Sequence, residues 1–362
     1  MRLSKLFLMT GFVIALSCSK SKDTPLNNDQ IVTETAQQLD RSETANCYIV
    51  SEPGTYSFRT VKGNSREQVG EVASVEVLWE SFGYSLTPKK GDLIRAVIYE
   101  SDRVFFKTSA PFTNGNAVIA AKDAGGTILW SWHIWMTDQP KSQSYPNDAG
   151  IMMDRNLGAT SPNRGHVLSL GLLYQWGRKD PFLNSMHIDK VAMAQSTLIW
   201  PEAVTSDANT GTIDFSIKNP TTFIVRSDRS DWLHTKDHSR WQSKKTIYDP
   251  CPSGWRVPDG GENGFWVRAG ISGNSFVVDI PYDSENLGAP LSIGNSEAAW
   301  YPYAGFYYDN FHSLLNVGRG GFYWSATGEG DGAYCLQMDL NSALPYAHSS
   351  QAFGYSVRCM KD

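Results

Sequence analysis

The chain has 362 residues, of which 41% are hydrophobic and 12% aromatic, enough apolar material for more than one packed core. This composition excludes general disorder. A formal net charge of −5, with no lysine- or arginine-rich run, excludes a typical nucleic-acid-binding protein. The 31 glycines and 17 prolines predict short strands and turns rather than long helices.

The first 18 residues have the organisation of an export signal. Arg2 and Lys5 precede the apolar run 6–16, and small residues then lead to Cys18. The apolar run is too short to span a bilayer, which needs about 20 residues. A cysteine at the cleavage point is typical of bacterial lipoproteins. We therefore expect a signal peptide ending at a lipidated Cys18, a mature charge of −7, and a lipid anchor in the outer membrane at the cell surface.

Residues 19–43 are polar and lack periodicity, which predicts a flexible tether. Residues 44–140 then carry regularly spaced strand signals, and Asp123–Gly126 has the composition of a hairpin turn. This pattern predicts an all-β, immunoglobulin-like sandwich. The predicted strands are 47–50, 56–61, 74–79, 93–99, 104–106, 116–121 and 127–135.

The last of these strands is rich in tryptophan. Trp130 and Trp132 share one face of a period-two strand, and Trp135 lies on the other. A row of tryptophans can serve as a stacking platform for sugars, but such large side chains more often pack in a core or an interface. We predict packing for all three.

Residues 147–362 have a mixed pattern that predicts an α+β domain with a small sheet. A helix is expected over 167–176, because Leu168, Leu172 and Trp176 fall near one helical face. The polar stretch 196–230 is interpreted as a loop insertion. The remaining predicted elements are a strand near 151–153, a short helix within 260–270, and strands over 321–326, 334–340 and 353–360.

Four cysteines follow Cys18, and export makes disulfides feasible. In segment 355–359 every second residue, ending with Cys359, points to one apolar face of a strand. Cys251 lies between two prolines that hold its backbone out of the helical region. We predict a Cys251–Cys359 bridge, with Cys335–Cys359 as the competing pair and Cys47 buried and unpaired.

Five ordered motifs in residues 147–362 resemble the FISUMP (major paralogous) domain of Bacteroidetes and Fibrobacteres surface proteins. They are Met153–Ala159, Leu173–Arg178, Tyr248–Pro258, Phe322–Ala326 and Val357–Cys359. This resemblance implies a C-type-lectin-like fold and a role in adhesion or recognition at the cell surface.

Two further resemblances supply alternatives. Residues 44–60 resemble the N-terminal part of fimbrillin-like lipoproteins, which implies a structural accessory of a fimbria or surface complex. Gly318–Gly321 resembles a segment of formylglycine-generating enzymes, which implies an oxidase that needs a reactive cysteine pair. The sequence has no Gly-x-Ser-x-Gly, phosphate-loop or His-Glu-x-x-His motif, so we expect a protein that is not an enzyme and has no cofactor.

Two groups of residues are candidate metal ligands. Asp231, His234 and His238 would share one face if their segment were helical, but a packed connector explains them equally well. Glu329 and Asp331 supply too few oxygens for calcium, which takes 6–8. We therefore predict no metal site.

Segment 305–312 is the predicted ligand surface, because aromatic rings alternate there with short polar groups in an expected loop. The competing interpretation is aromatic core at a strand end. The expected partners are the outer membrane, a glycan or protein ligand and fimbrial subunits. The candidate ligand residues are Tyr307, Tyr308, Asp309, Asn310 and His312.

Overall fold

The structure is a computed structural model. It describes residues 31, 33–81, 90–185, 188, 202–227, 230–271, 278–294, 297–308 and 313–362. Within these ranges no helix combines the length and the apolar character needed to cross a membrane. Cys18 lies outside the described residues, as do Asp309, Asn310 and His312.

The N-terminal unit consists of two four-stranded sheets. Its strands are β1 (Gln37–Gln38), β2 (Cys47–Val50), β3 (Thr55–Arg59), β4 (Ser74–Ser81), β5 (Ile94–Glu100), β6 (Arg103–Thr108), β7 (Gly115–Lys122) and β8 (Ile128–Met136). One sheet has the order β1-β3-β6-β5 and the other β2-β8-β7-β4. All seven strands predicted between residues 47 and 135 are confirmed, as is the turn between β7 and β8.

The core of this unit joins side chains from both sheets. Phe58 of β3 packs against Trp132 of β8 with 5.1 Å between ring centroids, and against Tyr48 of β2 at 4.8 Å. Phe106 and Ile134 belong to the same buried cluster. Burial of these large rings accounts for much of the stability of the unit.

The end of the predicted tether packs on the sandwich. A 3-10 helix spans Thr33–Thr35, and β1 pairs in parallel with β3. Asp40 is buried and accepts 2.6 Å hydrogen bonds from Arg59 Nε and Arg103 Nη2. Burial raises the pKa of Asp40, but the hydrogen bonds from the two arginines outweigh this effect. The net result is a lowered pKa, so the carboxylate stays charged.

The C-terminal unit is built around one large sheet, in which β15, β22, β21, β20, β23, β18 and β19 are neighbours and β11 pairs with β23. A second sheet has the order β14-β24-β10-β9, and β12–β13 and β16–β17 are two-stranded. The unit also contains a 3-10 helix at Val167–Ser169. Its other elements are β9 (Ser142–Tyr145), β10 (Gly150–Met153), β11 (Leu173–Gln175), β12 (Ala203–Thr205), α1 (Ile213–Lys218), β13 (Phe223–Val225), β14 (Trp255–Arg256), α2 (Phe265–Arg268), β15 (Val278–Asp279), β16 (Gly288–Gly294), β17 (Glu297–Pro302), β18 (Ala304–Tyr308), β19 (Ser313–Val317), β20 (Gly321–Glu329), β21 (Gly332–Met338), β22 (Ser342–Ser349), β23 (Gly354–Ser356) and β24 (Met360–Lys361).

The helix predicted over 167–176 is wrong. Only Val167–Ser169 is helical, and Leu173–Gln175 form strand β11 on the large sheet. Gly171 separates the two with a φ of +74°, a left-handed conformation that ends a helix. The apolar spacing that suggested a helix instead serves a turn followed by a strand.

The loop insertion predicted over 196–230 is also wrong in its described part. Strands β12 and β13 pair in parallel and helix α1 connects them. Thr212 caps this helix by accepting a hydrogen bond from Phe215 N at 3.0 Å. The short helix expected within 260–270 is confirmed as α2.

Strand β8 is buried on both faces and joins the two units. Trp130 and Trp132 lie in the sandwich core, whereas Trp135 belongs to a cluster shared with the C-terminal unit. Trp135 Nε1 donates to Ala159 O at 3.1 Å, and Ser131 Oγ donates to Asp180 Oδ1 at 2.6 Å. The prediction that these tryptophans serve packing is confirmed.

The predicted Cys251–Cys359 disulfide is present, with Cα atoms 5.9 Å apart. The competing Cys335–Cys359 pair is wrong, because β21, which carries Cys335, pairs with β20 and β22 rather than with the end of the chain. Cys335 and Cys47 are buried free thiols. The bridge connects the turn before β14 to the residue preceding β24.

Candidate functional site

The predicted ligand residues Tyr307 and Tyr308 lie at the end of β18, which pairs with β19. Tyr307 is 1% exposed and packs against Phe223 with 5.4 Å between ring centroids. Burial raises its pKa. Tyr308 is half-buried against Phe353 at 5.2 Å. The ring of Tyr307 therefore faces the core and not a ligand.

A more open site lies between segment 230–244 and the β20–β21 hairpin. Two cavities of about 240 and 380 Å³ are both lined by His238. We call them together the His238 groove. Its other polar lining residues are Ser230, Asp231, Lys236, Gln242, Ser243, Lys244, Thr327, Asp331 and Gln351.

A buried ion pair holds segment 230–244 in place. Arg240 Nη2 lies 3.0 Å from Asp231 Oδ2 and donates to Gln351 Oε1 at 2.9 Å. The guanidinium also lies over the rings of Trp176 and Trp232, at 4.9 and 4.6 Å from their centroids. Burial raises the pKa of Asp231, and the neighbouring Arg240 opposes that rise. One wall of the groove is thus fixed before any ligand binds.

His238 is the central side chain of the groove. Its ring is half-buried and meets Trp176 edge-on at 5.8 Å. Its Nε2 atom is buried and has no hydrogen-bond partner among the described residues. Burial, assisted by Lys236 and Arg240, lowers the pKa of His238, so the imidazole is neutral at pH 7. A neutral imidazole can donate to or accept from a polar ligand.

The His238 ring packs directly against the backbone of Gly328. A Cβ atom built on Gly328 would lie 2.6 Å from His238 Cγ, which is closer than real contacts allow. On the other side of the groove, Trp241 is fully buried and cannot offer its ring for stacking. The groove therefore suits a ligand bound by hydrogen bonds rather than by aromatic stacking.

The metal-ligand hypothesis for Asp231, His234 and His238 assumed a helix, and that assumption is wrong. The segment forms bends and extended backbone, Asp231 pairs with Arg240, and His234 is exposed. Throughout the described part of the chain, no three metal-ligating side chains come close enough to hold an ion.

Part of this groove is recognisable from the sequence by residue type. Asp231, His238 and Asp331 were singled out in two separate metal hypotheses, and the structure brings them to one groove. Lys236 and Gln351 were missed. Gln351 is 111 residues from its partner Arg240, and no local pattern signals such a contact.

We compared the chain with protein-family models, curated proteins and solved structures. None of them matches. The FISUMP and fimbrillin-like resemblances therefore remain predictions from the motifs, and the His238 groove is interpreted from its own geometry.

Proposed function

We propose that this protein is a non-enzymatic, lipid-anchored recognition protein of the outer-membrane surface, and that it binds an oligosaccharide in the His238 groove. The observation that carries this proposal is the open groove itself, which is lined by the His238 imidazole and by nine other polar side chains. A binding site for a polar molecule needs several hydrogen-bonding side chains that converge on one cavity.

The chemistry of the lining favours a sugar over an apolar ligand. Sugar hydroxyls both donate and accept hydrogen bonds. The groove offers acceptors such as Asp331, donors such as Lys236, and groups that can do both, such as Gln242. Several short polar contacts with a fixed orientation are what confer specificity in such sites.

The motif resemblance gives independent support. A C-type-lectin-like fold for residues 147–362 and an immunoglobulin-like sandwich for residues 44–140 suit a surface receptor, and the signal ending at Cys18 suits a lipid anchor. The observed architecture is rich in β-structure in both units.

The cysteine arrangement favours the non-enzymatic proposal over the oxidase alternative. An oxidase of the formylglycine-generating type needs a reactive cysteine pair, but Cys251 and Cys359 are joined in one bridge. Burial raises the pKa of both remaining described thiols, Cys47 and Cys335, which makes them poor nucleophiles.

A structural role in a fimbria or surface complex is the second candidate. Strand β1 covers only Tyr56 and Ser57 of the five-residue β3, so this sheet edge could accept a strand from another subunit. Co-purification of filament subunits with the tagged protein would favour this role. A monodisperse monomer that binds glycans would count against it.

The binding proposal can be tested with the full-length protein purified in detergent and applied to a glycan array. The variant His238→Ala should lose at least about tenfold in affinity for the bound glycan, because it removes the one polar side chain that lines both cavities. His234→Ala is the matched control, since His234 is exposed on the same segment and does not line the groove. Equal affinities for the two variants would refute the site, and no binding at all would favour the assembly role.

The anchor is tested separately by fractionation. Cys18→Ala should release the protein from membranes, because no acyl chain can then be attached. Persistent attachment to the membrane would contradict the lipoprotein assignment.

A further inference from the structure

A second polar cleft lies where the sandwich meets the C-terminal unit. It has a volume of about 610 Å³ and ten lining residues, all of them polar. The charged ones are Arg41, Glu43, Arg59, Arg66, Lys245 and Asp362, and the others are serine, threonine or asparagine. The cleft shares no lining residue with the His238 groove.

The arginines of this cleft are only partly neutralised. Asp40 is the carboxylate beside Arg59, but it is shared with Arg103, so one negative charge serves two guanidinium groups. Arg41 and Arg66 are exposed, and neither side chain has an ion pair or hydrogen bond within the described part of the chain. Their donors are therefore available to a ligand.

The other charged groups of the cleft have partners outside it. Lys245 Nζ donates to the backbone carbonyl groups of Cys251 and Pro252, at 3.0 and 2.7 Å, so its charge has no directly bonded carboxylate. Glu43 accepts a bond of 2.8 Å from a serine hydroxyl, and Asp362 Oδ1 lies 3.4 Å from Arg256 Nε. The four cations exceed the two carboxylates that line the cleft.

We propose that this cleft binds an acidic glycan, whose sulfate or carboxylate groups are held by Arg41 and Arg66. Arginine forms paired hydrogen bonds with such planar or tetrahedral anions, which makes it better suited than lysine to fix their orientation. Glu43 and the neighbouring hydroxyl and amide groups accept hydrogen bonds from the sugar hydroxyls.

Two features of the lining separate this ligand from other anions. A carboxylate such as Glu43 repels a bare phosphate but suits the hydroxyl groups of a sugar. The cleft has no apolar lining residue, so the acyl chains of a lipid find no surface to contact. A polymer that alternates anionic groups with hydroxyls matches both the cations and the carboxylates.

The test uses the purified full-length protein and four probes: heparin as a sulfated glycan, polygalacturonate as a uronic-acid glycan, neutral dextran, and vesicles containing anionic phospholipid. The variant Arg41→Glu/Arg66→Glu should bind the acidic glycan at least about tenfold more weakly than the wild type. Binding by the wild type should weaken with added salt, because these charges are exposed.

The matched control is Arg95→Glu/Arg319→Glu, which changes the net charge equally at two exposed arginines outside the cleft. It should bind within about twofold of the wild type, since neither residue lines the cleft. Arg41→Gln/Arg66→Gln replaces the first variant if thermal unfolding shows that charge reversal disturbs the fold.

Equal losses in the cleft and control variants would overturn the proposal, as would equal binding of dextran or binding to the vesicles alone. Failure of both acidic glycans to bind the wild type would also overturn it. The groove variant His238→Ala should leave acidic-glycan binding unchanged, so the two sites can fail independently.

Discussion

His133 shows how burial fixes the protonation state of one side chain. It lies on β8 and is 2% exposed, with Nε2 at 2.9 Å from Asn116 Oδ1. The amide oxygen accepts, so Nε2 carries the proton, and Nδ1 has no hydrogen-bond partner among the described residues. Burial lowers the pKa of His133 to about 3. The folded protein therefore holds this imidazole neutral.

This arrangement predicts a loss of stability in mild acid. The unfolded chain takes up a proton near pH 6.5 and the folded chain does not, so stability is lost as pH falls from about 6.5 towards the folded pKa. Between pH 6.5 and 4.5 the loss should be about 2–3 kcal/mol. Urea unfolding at a series of pH values measures it. His133→Gln cannot titrate, so the slope of its unfolding free energy against pH should be smaller by the equivalent of about one proton. An unchanged slope would contradict the assignment.

At the scale of elements, the sandwich strands were predictable because each is a short run of β-forming residues between turn residues. Strand β11 was not, because its pairing partner β23 is about 180 residues away along the chain and its spacing also fits a helix. The unit formed by β12, α1 and β13 was hidden for a related reason, since each piece is too short to show a period. Local patterns carry no information on which distant segment completes an element.

The candidate groove also depends on contacts between residues that are distant in the sequence. Asp231 and His238 attracted attention as residue types, but their arrangement depends on Arg240, which packs on two tryptophans and reaches Gln351. The disulfide was predictable because the alternation in 355–359 places Cys359 on the buried side, and Cys359 is indeed fully buried. Ser356 and Arg358 are buried as well, however, so the expected alternation of buried and exposed residues is absent from this segment.

The bridge should make a large contribution to stability. Cys251 and Cys359 are separated by 108 residues, and closing a loop of this length stabilises the folded chain by about 4–5 kcal/mol in the chain-entropy model. Cys251→Ser/Cys359→Ser should lose about this much free energy of unfolding, measured in urea. A reducing agent should destabilise the wild type and leave the double variant unchanged; a loss below about 1 kcal/mol would contradict the estimate.

At the scale of the whole molecule, the two units share a core rather than a surface contact. Cys47, Trp79 and Trp135 of the sandwich belong to one buried cluster with residues of the C-terminal unit. Asn46 adds polar contacts, donating from Nδ2 to the carbonyl oxygens of Ile247 and Asp249 at 2.7 and 2.9 Å. The two units cannot separate without exposing apolar surface and leaving polar groups unpaired.

This shared core predicts that both units unfold in one transition. Calorimetry should give a single peak for the wild type, and Trp135→Ala should broaden it or split it in two, while costing about 3–5 kcal/mol. Leu340→Ala is the control, because Leu340 is 36% exposed and its loss should leave the peak in place. Two peaks in the wild type would show that the units are independent.

The parallel pairing of β2 with β8 also determines how the molecule carries mechanical load. The two strands pair over four residues, from Cys47 with His133 to Val50 with Met136. Under the proposed N-terminal anchoring and ligand binding in the C-terminal unit, a pulling force would enter at the start of β2 and leave at the end of β8. These points lie at opposite ends of the pair, so the force shears all its hydrogen bonds together instead of opening them one by one. The resistance of this strand pair to such a force would then depend on the rate of unfolding under force and not on equilibrium stability.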